Sequence, residues 1–181
     1  MVYGIVTLIE GDAGELVRET WRHIEAALGA EAVREMNTPH ASFHVANEYE
    51  LERAEALLQR VATRSSPFEV ATAGLGLTAR NDGRVTWISL VRSPALDRLH
   101  AALWDEAGAL ATGVYQQYAP PIWFPHVTLS YSARVQDTPS ALTDLLRDGR
   151  VPDEVRIDNV ALIEDTGDGH RIISRVPFGI R

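Results

Sequence analysis

Two five-residue segments of this 181-residue chain share one pattern: Pro39-His40-Ala41-Ser42-Phe43 and Pro125-His126-Val127-Thr128-Leu129, with His126 placed 86 residues after His40. Each reads Pro-His-x-[Ser/Thr]-apolar. In a strand, residues i and i+2 share a face, so each segment presents an imidazole and a hydroxyl to one side. The residues at alternate positions, Ala41, Phe43, Val127 and Leu129, are left to face a core. Proline suits the first position of a strand, where no ladder hydrogen bond is lost. The same offset lays Asp82-Gly83 on Asp168-Gly169. A repeat of this length predicts one bilobal domain over 1–181, with approximate internal copies at 1–86 and 87–172.

The pattern between the segments fits that reading. Val2 to Ile9 is short, apolar and β-branched, a buried strand. Asp12 to Leu28 carries Leu16, Val17, Trp21, Ile24 and Leu28 at helical spacing, with Gly29 as a stop. His40 to Ala46 reads as a strand and Glu48 to Val61 as a helix. Phe68 to Leu77 and Arg84 to Val91 read as strands joined through Asn81-Asp82-Gly83. Ser93-Pro94 opens a helix reaching about Leu110. Pro125 to Ser132 is a strand, Pro139 to Leu146 a short helix, and Val155 to Glu164 with His170 to Phe178 a closing hairpin. The expected class is α+β: two pseudo-symmetric lobes, antiparallel sheets lining a central cleft, and helices outside.

Composition removes several functions. The chain has no cysteine, which excludes disulfide frameworks, thiol nucleophiles and cysteine-ligated metals. Its net charge of −8 argues against coating extended nucleic acid. No apolar run approaches the roughly 20 residues of a membrane span. Met1 to Glu10 has neither a basic leader nor a cleavage signal. The expectation is a cytoplasmic monomer without membrane contact.

Two histidines across one cleft can hold a neutral imidazole and an imidazolium near physiological pH. One takes a proton from an attacking oxygen and the other gives one to the leaving oxygen, while two hydroxyls bind the non-bridging oxygens. The chemistry fits in-line displacement at a phosphodiester and calls for no cofactor and no metal. His40, Ser42, His126 and Thr128 are the candidate catalytic residues, with either histidine able to be the acid.

The paired His-x-[Ser/Thr] motifs, in a chain of this length and element order, resemble the 2H phosphoesterase superfamily, and within it the bacterial 2′-5′ RNA ligase-like and RNA 2′,3′-cyclic phosphodiesterase proteins. The resemblance covers essentially the whole chain. It implies the bilobal fold and metal-independent phosphodiester chemistry, often opening of a 2′,3′-cyclic phosphate to a 2′-phosphate, with the reverse step joining ends. It carries over onto His40, Ser42, His126 and Thr128. Several members have a basic residue soon after the second motif; here Ser130-Tyr131-Ser132 follows and Arg134 comes late. The departure, with the acidic charge, points to a small nucleotide or another compact cyclic phosphodiester, with an RNA end as the larger option.

Other residues complete the set of expectations. Trp123 and Phe124 are candidates to stack on a base. Tyr131 is expected on the face opposite Thr128 unless a bulge intervenes. Arg80, Arg84 and Arg92 are candidate phosphate contacts. His44, four residues after His40, raises a rival three-histidine metal site with His40 and His126. His23, His100 and His170 read as surface or structural. Gly113 to Phe124 is a candidate lid. A cleft that binds a nucleotide or phosphometabolite without turnover is the alternative to an enzyme.

Overall fold

The computed structural model describes residues 2–80, 83–132, 138–149 and 151–179. The chain runs β1 (Val2–Leu8), α1 (Gly11–Leu28), β2 (His40–Tyr49), α2 (Leu51–Arg64), β3 (Phe68–Arg80), β4 (Gly83–Leu90), α3 (Pro94–Ala107), β5 (Ala111–Val114), β6 (His126–Ser132), α4 (Thr138–Arg147), β7 (Glu154–Ile157), β8 (Asn159–Asp165) and β9 (His170–Pro177). The expected helices and strands are present. Asn81 and Asp82 of the expected hairpin turn lie outside the described residues.

Three differences from the expected elements have physical reasons. The apolar run Val155 to Glu164 is two strands, β7 and β8, separated by Asp158. Buried Asn159 marks the break: its side-chain amide accepts from Leu8 N at 2.9 Å and donates to Leu8 O at 3.0 Å, standing in for a backbone rung. The short strand β5, absent from the sequence reading, adds to β2 through Ala46, Glu48 and Tyr49. The third helix is capped as expected, Ser93 Oγ accepting from Leu96 N at 3.2 Å, but ends at Ala107 before a 3₁₀ turn over 108–110.

The strands form one antiparallel sheet in the order β7-β3-β4-β6-β2-β1-β8-β9, with β5 on β2. β7 and β8 are consecutive in the chain across one residue, yet β7 is at one edge and β8 is next to the other edge. Only a sheet curled on itself brings those places together. One lobe is β2, β1, β8 and β9; the other is β6, β4, β3 and β7. Each lobe therefore draws strands from both halves of the sequence. The helices pack outside: α1 against β6, β7 and α4, and α2 and α3 against each other and against β8, β9 and β2. Phe43, Ile88, Leu103, Leu129 and Leu162 sit in the apolar layers this creates. No helix of the described residues is long and apolar enough to cross a membrane.

β2 and β6 meet at the centre of the sheet through a single rung, Ala41 with Val127. That register sets His40 beside Thr128 and Ser42 beside His126. On the next strand, Gly76 of β3 pairs with Trp87 of β4. A Cβ at Gly76 would lie 2.2 Å from the Trp87 ring, so only glycine lets the indole lie flat there. Gly76→Ala will displace Trp87 and destabilise the protein by about 1–3 kcal/mol, read as a lower urea midpoint; an unchanged midpoint would contradict this packing.

Candidate active site

His40, Ser42, His126 and Thr128 all line one cleft of about 640 Å³. The two histidines are held identically. His40 Nδ1 is 2.7 Å from Thr38 O, and His126 Nδ1 is 2.7 Å from Phe124 O. A carbonyl only accepts, so each Nδ1 carries the hydrogen and each neutral ring keeps its Nε2 lone pair. Both rings border the cleft, and among the described residues no protein group bonds to either Nε2.

A bulge follows each hydroxyl residue. In β2, Val6 pairs with Ser42 but Ile5 pairs with His44, leaving Phe43 as the extra residue. In β6, Trp87 pairs with Thr128 but Thr86 pairs with Ser130, leaving Leu129 as the extra residue. Leu129 follows Phe43 by the same 86 residues as the motifs. The extra residue reverses the alternation beyond it. Val45 and Tyr131 therefore join the cleft lining, while His44 and Ser130 are fully buried. This fulfils the condition attached to Tyr131.

The same bulge separates the residues of the rival metal site. His44 lies on the opposite face from His40, its Nδ1 bonded to the Tyr49 hydroxyl and its ring tilted against Trp104 at 4.8 Å. No group of three metal-ligating side chains occurs among the described residues.

Trp123 is corrected by its surroundings. It is 3% exposed, stacked on His100 at 3.8 Å, and its indole N–H donates to Ser42 O at 2.9 Å. It sits beneath β2 and offers no face to the cleft. Phe124 is 49% exposed and stacks on His126 with centroids 6.0 Å apart. Arg92 is engaged elsewhere, with Asp97 at 2.8 Å and with the carbonyls of Pro120 and Trp123. The side chains of Arg80 and Arg84, and the whole of Arg134, lie outside what is described. The 113–124 segment is tied down by Arg92 and by His100, whose Nε2 reaches the Tyr118 and Phe43 carbonyls at 2.9 and 3.0 Å.

A third imidazole, expected from the sequence to be surface or structural, stands at the cleft. His170, at the start of β9, lines the cleft with its ring edge-on to His40 at 4.6 Å. Asn37 holds it, accepting from His170 N at 2.9 Å and donating to His170 O at 3.2 Å. Gly169 before it has φ +137°, and a Cβ there would lie 2.5 Å from the Asn37 amide. Nothing in the sequence but the 86-residue offset, which lays His170 on Arg84, singles this position out. Tyr3, Tyr115 and Tyr118 also line the cleft, with Glu31, Arg34, Glu35 and Asp165.

Burial dominates the electrostatics. It pushes His40 down to about 3, with His170 and His126 acting in the same direction and the Thr38 carbonyl opposing. Burial lowers His126 too, against the Phe124 carbonyl, and lowers His170, against Asp165 and the Glu35 backbone. Burial, then Asp165, raises Glu35. An unfolded histidine titrates near ~6.5, so below that pH the unfolded chain binds protons that the folded chain refuses. Stability is then undiminished by these groups above about 6.5 and falls as the pH drops toward 3. Urea midpoints measured from pH 7 to 4 will decline steadily, and the decline will be shallower in His40→Asn; a flat profile would contradict neutral, half-buried imidazoles.

The sequence profile of the 2′-5′ RNA ligase superfamily matches residues 14–169. No curated protein sequence matches. Solved structures share the fold over nearly their whole length. TT0787 of Thermus thermophilus is 16% identical, with a TM-score of 0.67 and 98% of each chain covered. E. coli LigT complexed with 3′-AMP is 19% identical, with a TM-score of 0.61 and coverage of 98% of this chain and 99% of that one. Kluyveromyces marxianus Usb1 with uridine monophosphate is 13% identical, with a TM-score of 0.57 and 98% of each chain covered. With a profile match over most of its length and a fold shared with these structures, the chain belongs to the 2′-5′ RNA ligase superfamily.

Proposed function

We propose that the protein is a metal-independent phosphodiesterase acting on a cyclic phosphate, opening a 2′,3′-cyclic phosphate to a 2′-phosphate. The observation that carries this reading is the matched pair of imidazoles. Each Nδ1–H is held by the carbonyl two residues back, and both rings border one cleft. Family membership and neighbours solved with 3′-AMP and uridine monophosphate support a nucleotide ligand.

The surroundings differ enough to divide the roles. His126 lies against the rings of Phe124 and Trp87, at 6.0 and 5.9 Å, and aromatic faces favour a cation. His40 lies against His170 and is held neutral. In this reading His40 Nε2 takes a proton from the attacking water. The new P–O bond forms opposite the P–O3′ bond, which breaks, and His126 Nε2–H delivers a proton to the departing 3′-oxygen. Ser42 and Thr128 donate to the non-bridging oxygens, on which charge builds. The step uses one water and balances without any other reactant. The same step, with a 5′-hydroxyl attacking in place of water, would join ends through a 2′-5′ linkage.

Tyr3, Tyr115, Tyr118 and Tyr131 offer stacking surfaces for a base. The cleft's described charged residues are three carboxylates, Glu31, Glu35 and Asp165, with Arg34. A substrate with a single phosphate meets less repulsion there than a strand carrying several, which favours a compact nucleotide.

A panel of 2′,3′- and 3′,5′-cyclic nucleotides tests the reading. Turnover of the 2′,3′-cyclic compounds will survive EDTA, and His40→Ala and His126→Ala will each lower kcat/KM by about 10²–10⁴-fold. Chelator-sensitive turnover, or near-wild-type rates in either variant, would refute it. Tight binding without turnover would identify a binder instead.

The pH profile follows from the two lowered histidines. The free enzyme needs His40 neutral and His126 protonated. Because His126 is lowered, kcat/KM will begin to fall on its alkaline side below the ordinary histidine value of ~6.5. A bound phosphate anion favours the His126 cation, so the same limb of kcat will lie at higher pH. Coincident limbs, or a fall only above about pH 8, would contradict this assignment.

A further inference from the structure

Each motif's hydroxyl residue is fastened by an indole from the other half of the chain. Trp123 Nε1 donates to Ser42 O at 2.9 Å, and Trp21 Nε1 donates to Thr128 O at 3.2 Å. Trp123 lies in the second half and Ser42 in the first; Trp21 lies in the first and Thr128 in the second. The two indoles are not related by the 86-residue offset. They come from different elements, the segment before β6 and helix α1, yet end on equivalent atoms. Both carbonyls stand immediately before a bulged residue, Phe43 or Leu129, where the ladder is interrupted.

We propose that Trp21 and Trp123 are positioning residues: each N–H bond pins the carbonyl before a bulge within its own lobe, Trp123 on β2 and Trp21 on β6, and so holds the Ser42 and Thr128 hydroxyls in place on either side of the cleft. The proposal rests on the reading of those hydroxyls as the groups that hold the phosphoryl oxygens.

The supports around each indole are those of a fixed strut. Trp123 is 3% exposed and stacked on His100, with the Arg92 guanidinium 5.8 Å from its ring centre. His100 Nε2 reaches the neighbouring carbonyl, Phe43 O, at 3.0 Å, so both carbonyls on the β2 side of the bulge meet this stacked pair. Trp21 is 6% exposed on the buried side of α1, which packs on β6. A bulge without such a strut sits where the ladder is locally disrupted. With it, the hydroxyl residue is held from the opposite face of the sheet, leaving its side chain clear for substrate.

The test deletes the N–H and keeps the shape. Replacing the indole of Trp21 or Trp123 by benzothiophene, through site-specific incorporation of benzothienylalanine, removes only the donor. Trp21→Phe and Trp123→Phe serve as coarser variants. The same benzothiophene replacement at Trp104, whose ring lies against His44 rather than either motif, is the control. With adenosine 2′,3′-cyclic phosphate, each replacement at Trp21 or Trp123 will lower kcat about tenfold, the worth of one well-placed hydrogen bond. KM will change less than about twofold, and the Trp104 control will keep the wild-type rate.

Amide hydrogen exchange is read in parallel and needs no turnover. Exchange at Phe43 will quicken when Trp123 loses its donor, and at Leu129 when Trp21 does. Wild-type kcat with unchanged exchange in both replacements would overturn the proposal, as would an equal loss in the Trp104 control. If the wild-type protein fails to turn over cyclic phosphates but exchange quickens as stated, the strut stands and the phosphodiesterase reading falls.

Discussion

The site is organised by a break in register that occurs twice. Phe43 and Leu129 are each one residue more than the facing strand can pair. Before each break, His40 with Ser42 and His126 with Thr128 face the cleft. After it, the face that carried the motif turns inward, burying His44 and Ser130, and the other face turns outward with Val45 and Tyr131. Without these bulges a second histidine would share the face of His40, and Tyr131 would lie in the core. The bulge thus gives a strand of ten residues, β2, two different faces along its length.

That device explains what was readable in the sequence and what was not. The motifs were legible because Pro-His-x-[Ser/Thr] repeats at one offset and period-two alternation holds over three residues. Helices α1, α2 and α3 were legible from their apolar stripes, and Ser93-Pro94 from its capping chemistry. Beyond the third residue the alternation fails, so His44 reads as a neighbour of His40 although they are on opposite faces. A bulge has no residue signature in Phe43 or Leu129, since any apolar side chain can fill it. Trp123 misled for a related reason: an aromatic beside a motif can stack on a ligand or cap a carbonyl, and its bond to the Ser42 carbonyl decides between them. His170 was invisible because its place depends on a side chain far away in sequence, Asn37, closing on a turn.

The energetic character of the cleft follows from half-burying imidazoles with few counter-charges. His40 touches another imidazole instead of a carboxylate, and carbonyls fix the tautomers of His40 and His126 without making either ring strongly basic. Such a site waits in a neutral state. In the proposed reaction an arriving phosphodiester would bring the negative charge that makes an imidazolium favourable, and the aromatic neighbours of His126 would make that ring the better place for it. The proton needed by the leaving group is then favoured by the substrate itself. On the same proposal, the carboxylates of Glu31, Glu35 and Asp165, which line the cleft with Arg34, would disfavour additional phosphates.

The central claim is geometric, and a complex with a uridine–vanadate adduct tests it most directly, because vanadium takes the five-coordinate shape of phosphorus in displacement. A crystal structure is predicted to show the vanadium between the two rings, His40 Nε2 and His126 Nε2 each hydrogen-bonded to an opposite apical oxygen, and the Ser42 and Thr128 hydroxyls on equatorial oxygens. An adduct bound elsewhere in the cleft, or bound with either Nε2 turned to a protein group, would contradict the account.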